Sequence, residues 1–257
     1  MSILKKFSNS FLKQLSNWNK YEIIYGALVT IILLTISIIT VSQDSPIWIS
    51  VISIMAGFFG VWGTLLAAKR SVWNYFWGII HIVLYGITSF YARLYGDFML
   101  NIFFFLPTNI YAIWIWKSRE NDMGQVNPRK LKLKHKIIIS LSTVIFTVLY
   151  AFLLDFLGDA APWLDSASTV LSVTGMFLMI YAFREQYFIW ILVNIVSTIM
   201  WIISLSLGNT AAIPMVIMWS IYILSGFWGL YNWYRKPKYI GYKYIKGASN
   251  GTKAIYK

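Results

Sequence analysis

The sequence predicts an all-α integral membrane protein with eight transmembrane helices, and three observations carry that prediction. Hydrophobic residues make up 58% of the 257 and charged residues only 12%, with a mean hydropathy of +0.64. A soluble domain carries roughly 25% charged residues, so this chain has too little polar surface for water and needs lipid as its solvent. Eight apolar stretches follow one another, at 23–41, 49–68, 72–90, 97–116, 137–154, 167–183, 187–206 and 211–233. The basic residues fall in alternate connections between them, as the positive-inside rule requires of a chain that crosses the membrane repeatedly.

Each element has its own justification. Lys5, Lys6, Lys13 and Lys20 precede the first stretch. A basic start before an apolar run is also the mark of a signal peptide, but this run is longer than such a segment and no small-residue cleavage site follows it. It is therefore expected to be a retained span. The next three stretches are joined by short turns. The connection 117–136 is the longest, is basic and polar, and divides the chain into four spans and four. Helices are expected throughout, because they satisfy their own backbone in lipid and the stretches lack the alternation of a barrel. The sixth stretch is the shortest.

With the N-terminus inside, the cytoplasmic segments are 1–22, Lys69-Arg70, 117–136, Arg184-Glu185 and the tail after Tyr234. They hold 21 of the 22 Lys and Arg residues, leaving Arg93 outside with Asp44, Asp155, Asp159 and Asp165. A missed or extra helix would scramble that sorting. Both termini are thus expected in the cytoplasm of a multi-pass protein of the cell (inner) membrane. The net charge of +13 is assigned to these loops and to a tail lying on the anionic inner leaflet. Nucleic-acid binding would need a folded basic face, and no domain is present to carry one. There is no cysteine, hence no disulfide, thiolate metal site or cysteine nucleophile.

The two halves resemble each other. Arg70 precedes Trp77-x-x-x-His81, and Arg184 precedes Trp190-x-x-x-Asn194, the two tryptophans lying 113 residues apart. Each motif leads into a short outside turn, Leu94-Tyr95-Gly96-Asp97 and Leu207-Gly208-Asn209, and then a helix ending in tryptophan-rich sequence, Trp114-Ile115-Trp116 and Phe227-Trp228. Spans two to four therefore match spans six to eight, with span five as connector. An odd connector returns the second triplet to the orientation of the first, which makes the repeats parallel, one of the known transporter plans. The predicted units are 1–48 (N-terminus and accessory helix), 49–116 (first triplet), 117–154 (basic loop and connector), 155–233 (second triplet) and 234–257 (basic tail).

Polar groups inside spans point to the solute site. Trp190 and Asn194 share a helix face, which Ser197 and Trp201 extend. Trp77, His81 and Tyr85 make the corresponding stripe. An aromatic and a hydrogen-bonding group at i and i+4, twice, suit a flat polar ligand stacked on tryptophan, and a cationic ring would gain about 0.5–2 kcal/mol more from the aromatic faces. Span four adds Asn101 and Asn109, and Asp97 is expected to pair locally with Arg93. Trp48, Trp114, Trp116, Trp228 and Trp233 are expected in interfacial belts. Pro107 and Pro214 fall within matched helices and are expected to kink them. No cofactor or metal ion is expected, since His81 has no second histidine near it. No catalytic motif, nucleotide loop or intramembrane carboxylate pair is present, so an enzyme is not expected.

Asn74-Tyr75-Phe76-Trp77-Gly78, Leu84-Tyr85-Gly86 and Leu94-Tyr95-Gly96-Asp97-Phe98-Met99-Leu100-Asn101 resemble the first sequence block of the PnuC transporters. Trp190-Ile191-Leu192-Val193-Asn194-Ile195 resembles their second, and Asp165-Ser166 leading to Val170-Leu171-Ser172 fits the same pattern. The resemblance runs from about residue 50 to 233. It implies a 3+1+3 bundle related to SWEET sugar transporters, with an accessory N-terminal helix in some members. It also implies facilitated uptake of nicotinamide riboside, trapped by cytoplasmic phosphorylation, and assembly as a homotrimer. The family's substrate motif falls on Trp190 and Asn194, and its span-four polar position on Asn101. His81 stands where some members have Asn, and Asn101 where some have Gln. Relatives in the wider family move thiamine, deoxynucleosides or riboflavin, which leaves a thiamine or deoxynucleoside carrier as the alternative.

Overall fold

The computed structural model describes residues 18, 20–39, 46–92, 94–121, 124–156 and 162–235. These form eight long helices: α1 Lys20–Ile39, α2 Ile47–Ala68, α3 Trp73–Tyr91, α4 from Tyr95 to Ser118, α5 Leu133–Phe156, α6 Pro162–Ile180, α7 Gln186–Ser206 and α8 Ile213–Tyr234. Seven are long and apolar enough to cross a membrane. The exception, α3, equals α6 in length but carries Asn74, His81, Tyr85, Thr88 and Ser89, so its apolarity is lowered by the very residues that turn inward. Most of the predicted basic N-terminal segment, the C-terminal tail after Arg235, Asp44, Asp159 and Arg93, and with Arg93 its expected pairing with Asp97, lie outside the described residues.

Six helices close a ring. α2 packs on α3, α3 on α4, α4 on α6, α6 on α7, α7 on α8, and α8 back on α2. α1 lies outside against α2 and α8, and α5 lies outside chiefly on α6. The outward faces are apolar, as on α5, where Phe146 is 61% exposed. Lipid solvates such a face, and only the inward face needs to be matched to neighbouring helices.

At the basic end, α2 and α6 stop in the same way. Arg70 and Ala182 take left-handed backbone, with φ of 63° and 57°. Ser71 N–H donates to Leu66 O at 3.0 Å and Phe183 N–H to Leu178 O at 2.8 Å, the six-to-one bond of a Schellman end. The loop after α4 then crosses both turns. Val126 N–H donates to Arg70 O, Arg129 N–H to Ala182 O, and Arg184 N–H to Arg129 O, at 2.8–3.0 Å. Tight pairing in two places accounts for the length of this connection: it straps the turns together.

Two tryptophans expected at the interface are instead buried in the core. Trp116, 0% exposed, donates Nε1–H to the carbonyls of Met179 and Ile180 at 3.1 Å. Trp233, 2% exposed, donates to Ala67 O at 3.1 Å. An indole N–H next to a helix end in lipid finds its partner in the unpaired carbonyls of the last turn. Trp48 and Trp114, 54% and 68% exposed, do face outward, and Trp228 is half-buried.

The prolines act differently from one another. Pro107 has no N–H to give, and the turn before it, Leu100–Phe105, widens into π-helix; such bulges relieve a broken ladder. Pro214 lies in the first turn of α8, behind the 3-10 turn Thr210–Ala212. There its missing N–H costs nothing, so it starts the helix and does not kink it.

The close approach of α8 to α7 depends on Gly229, where a Cβ would strike the ring of Tyr187. Gly229→Ala is expected to destabilise the protein by about 1–3 kcal/mol, lowering the melting temperature in detergent. Gly96→Ala, with open space around it, should leave that temperature unchanged.

Candidate functional site

The ring encloses a cavity of about 180 Å³, lined by all six ring helices and by neither α1 nor α5. Its chemistry starts with α4. Around the widened stretch three side chains donate to carbonyls four residues back on the same helix: Asn101 Nδ2–H to Asp97 O at 2.8 Å, Thr108 Oγ1–H to Phe104 O at 2.7 Å, and Asn109 Nδ2–H to Phe105 O at 2.8 Å. With its nitrogen so engaged, each amide keeps its Oδ1 as an acceptor. Asn109 Oδ1 faces Gly78 on α3, where a Cβ would come within 3.0 Å of it.

The end of the cavity away from the basic loops is closed by a bonded triad. Trp201 Nε1–H donates to the Tyr85 hydroxyl at 2.7 Å, and that hydroxyl donates to Asp97 Oδ2 at 2.7 Å. An intramembrane carboxylate is costly unless bonded, and Tyr85 fills that need. Midway, His81 Nδ1–H donates to Ala56 O at 2.9 Å, which leaves Nε2 as an acceptor in the neutral ring. Opposite, Asn194 Nδ2–H donates to Tyr222 O at 3.0 Å.

At the basic end Tyr75 stacks edge-on against Trp116, with centroids 4.9 Å apart, and Tyr187 packs on Trp233 at 5.5 Å. Arg70 stands behind this floor, and burial lowers the pKa of its guanidinium from the ordinary value, while Tyr187 acts in the opposite sense. Buried donors lining the cavity, among them Tyr75 Oη, Gln186 Nε2 and Trp190 Nε1, have no hydrogen-bond partner among the described residues. Buried donors in folded proteins are rarely left so, and a solute with acceptor groups would satisfy them.

Of the residues singled out from sequence, His81, Tyr85, Asn101, Asn109, Trp190, Asn194 and Ser197 line the cavity. Trp77 does not. It packs away from the cavity into the aromatic cluster of Phe58, Phe59 and Trp62, at 5.2–6.1 Å. Trp201 lies behind Tyr85 and reaches the cavity only through it. Gln186, Tyr75, Asn74 and Tyr222 line the cavity and went unread. Gln186 lies four residues before Trp190, on the same stripe, and that spacing is the signal that would have found it.

Residues 50–235 match the family described as nicotinamide mononucleotide transporter. The nicotinamide riboside transporter PnuC of Haemophilus influenzae is 29% identical over 241 residues, covering 93% of this chain and 99% of that one. Its counterpart in Neisseria mucosa is 25% identical over 226 residues, 86% of this chain and 83% of that one. The crystal structure of the vitamin B3 transporter PnuC superposes with a TM-score of 0.76 at 24% identity, over 87% of this chain and 94% of that one, which shows a shared fold.

Tyr85→Phe removes the hydroxyl that joins Asp97 to Trp201. Each of those buried groups then lacks its partner, and the expected cost is about 1–3 kcal/mol, read as a lower melting temperature in detergent. An unchanged temperature would show that the triad does not hold this end of the ring.

Proposed function

The chain belongs to the PnuC family, the nicotinamide mononucleotide transporter family of the match, and from that premise we propose that it carries nicotinamide riboside across the cell membrane by facilitated diffusion. One observation carries the choice of solute: among the described residues, no Lys or Arg lines the cavity. A phosphate needs cationic donors when it leaves water, so a nucleotide is poorly served, whereas an uncharged ribose and a cationic pyridinium are well served. The indole of Trp190 offers a face to the ring. The acceptor oxygens of Asn101 and Asn109 and the amide of Asn194 suit the carboxamide, and Gln186, Tyr75 and Ser197 suit ribose hydroxyls. Trapping follows from the same lack of cations. Phosphorylation in the cytoplasm adds a phosphate of about −1.5 to −2 charge, for which the lining offers no cationic partner among the described residues. The reading is of a carrier that makes and breaks no covalent bond.

The architecture we infer is eight spans, with α3 as the polar one, arranged as an accessory α1 plus a 3+1+3 parallel repeat of SWEET-like plan. Equivalent features support it at a separation of 112 residues: Arg70 and Ala182, Tyr75 and Tyr187, and Ala67 and Met179 as acceptors of Trp233 and Trp116. At that separation Trp190 corresponds to Gly78 and not to Trp77. The sorting of basic residues supports a cytoplasmic location for both termini. A homotrimer rests on the family resemblance alone.

Calorimetry on the purified protein tests the solute. Nicotinamide riboside should bind, while nicotinamide mononucleotide, thiamine, riboflavin and deoxynucleosides should bind weakly or not at all. Binding of thiamine alone would overturn the reading. Asn194→Ala should weaken binding by about tenfold or more, the cost of an unmet buried hydrogen bond, and Ser206→Ala, on an exposed face, should leave it unchanged.

A further inference from the structure

α5 is the helix least supported by protein. It packs chiefly on α6, yet it joins the strap to the second triplet. Between α5 and α6 runs an open apolar groove of about 590 Å³, walled by α5 from Ile138 to Tyr150 and by α6 from Thr169 to Leu178. Its floor is closed by the hydroxyl pair Thr143 and Thr174 at 3.2 Å. At 1.5 Å per residue the α5 wall is about 18 Å long, close to the roughly 15 Å depth of one leaflet's hydrocarbon.

The groove begins where α5 leaves the basic loop. There a second depression, of about 440 Å³, is lined by Lys130, Leu131, Lys132, Leu133 and Lys136. Lys136 is engaged with Glu185 at 2.9 Å, and Glu185 also accepts the N–H of Leu131 at 3.2 Å. That pair fixes the depression's shape and uses up its neighbouring acid. Lys130 and Lys132 are exposed and form no ion pair among the described residues. Lys136 is one helical turn from Ile139 on α5, which sets the charged depression at the basic-loop end of the apolar groove.

We propose that the depression and the groove together hold one anionic phospholipid, its headgroup phosphate against Lys130 and Lys132 and an acyl chain along the α5–α6 groove. Uncharged lipid would fill the groove but leave the two ammonium groups unmatched; a free anion would meet the ammonium groups but leave the groove to other lipid. Basic pockets continuous with spanning helices recognise anionic headgroups in this way. The lipid acts as the second wall of α5 and steadies the end of the strap.

Native mass spectrometry and thermal melting of the delipidated full chain in detergent test this, with phosphatidylglycerol and phosphatidylcholine as probes. Phosphatidylglycerol should bind and raise the melting temperature more than phosphatidylcholine does. The double substitution Lys130→Gln and Lys132→Gln should weaken phosphatidylglycerol binding by about thirtyfold, from roughly one basic-residue contribution at each site, and leave phosphatidylcholine unaffected. Val173→Trp, which fills the groove, should reduce retention of both lipids; if that variant does not fold, the lysine pair decides. Equal binding of the two lipids, or an unchanged affinity in the lysine variant, overturns the proposal. So does an equal rise in melting temperature with inorganic phosphate, which would mean a bare anion site. Dissociation of an oligomer by Val173→Trp would show a second copy covering the groove and also overturn it.

Discussion

A hydrogen-bonding group enclosed between helices in hydrocarbon has no water to fall back on, and two indole N–H groups under that constraint decide how the halves meet. Trp116 and Trp233 each stack on a tyrosine of their own triplet and donate to the last turn of the other triplet's first helix. Their rings approach each other at 6.1 Å. The result is an aromatic floor under the cavity, made of Tyr75, Trp116, Tyr187 and Trp233. It is locked because each donor would lose its acceptor if either half moved alone. The far end is closed by a different device, the Trp201–Tyr85–Asp97 triad. To leave, a solute must open either the floor or the triad, and both are held by hydrogen bonds between elements distant in sequence.

The halves share a frame but not a chemistry. At the separation of 112 residues that relates their turns and floor tyrosines, Trp190 faces the position of Gly78, and Asn194 that of Ile82. One side therefore supplies a stacking face and an amide. The other supplies space, and behind it the side-chain amides of Asn101 and Asn109 on α4. On α4 the nitrogens of Asn101 and Asn109 are tied to carbonyls of their own helix, and their oxygens are left over for the cavity.

The helices were legible because lipid asks only for length and apolarity, and the charge sorting then separated one connection from the next. Much of the site was legible too, since Trp190, Asn194 and Asn101 are polar or aromatic where lipid would favour neither. The failures have separate physical origins. Matching Trp77 to Trp190 sets the register one residue off, and one residue on a helix is about 100° of rotation, enough to turn Trp77 from the cavity into the Phe58–Trp62 cluster. Trp116 and Trp233 were read as interfacial because a tryptophan near a helix end looks the same in sequence whether it meets headgroups or a carbonyl; the carbonyl of Met179 is 63 residues from Trp116. The strap escaped notice because backbone pairing leaves no mark on side-chain type.

Charge is sorted within the molecule as strictly as along the chain. Among the described residues, the basic ones crowd one rim, while the cavity lining holds a single carboxylate, Asp97, already engaged by Tyr85, and no Lys or Arg. Charges on the rim act across water, where screening limits them to about 8 Å at physiological salt, and would draw a phosphorylated product toward the surface without admitting it. Inside, where screening is weak, the absence of fixed cations leaves aromatic faces and amide dipoles to choose the solute. A phosphate would find no cationic donor among the described residues of the cavity wall, and the rim's positive charge accords with a cytoplasmic face.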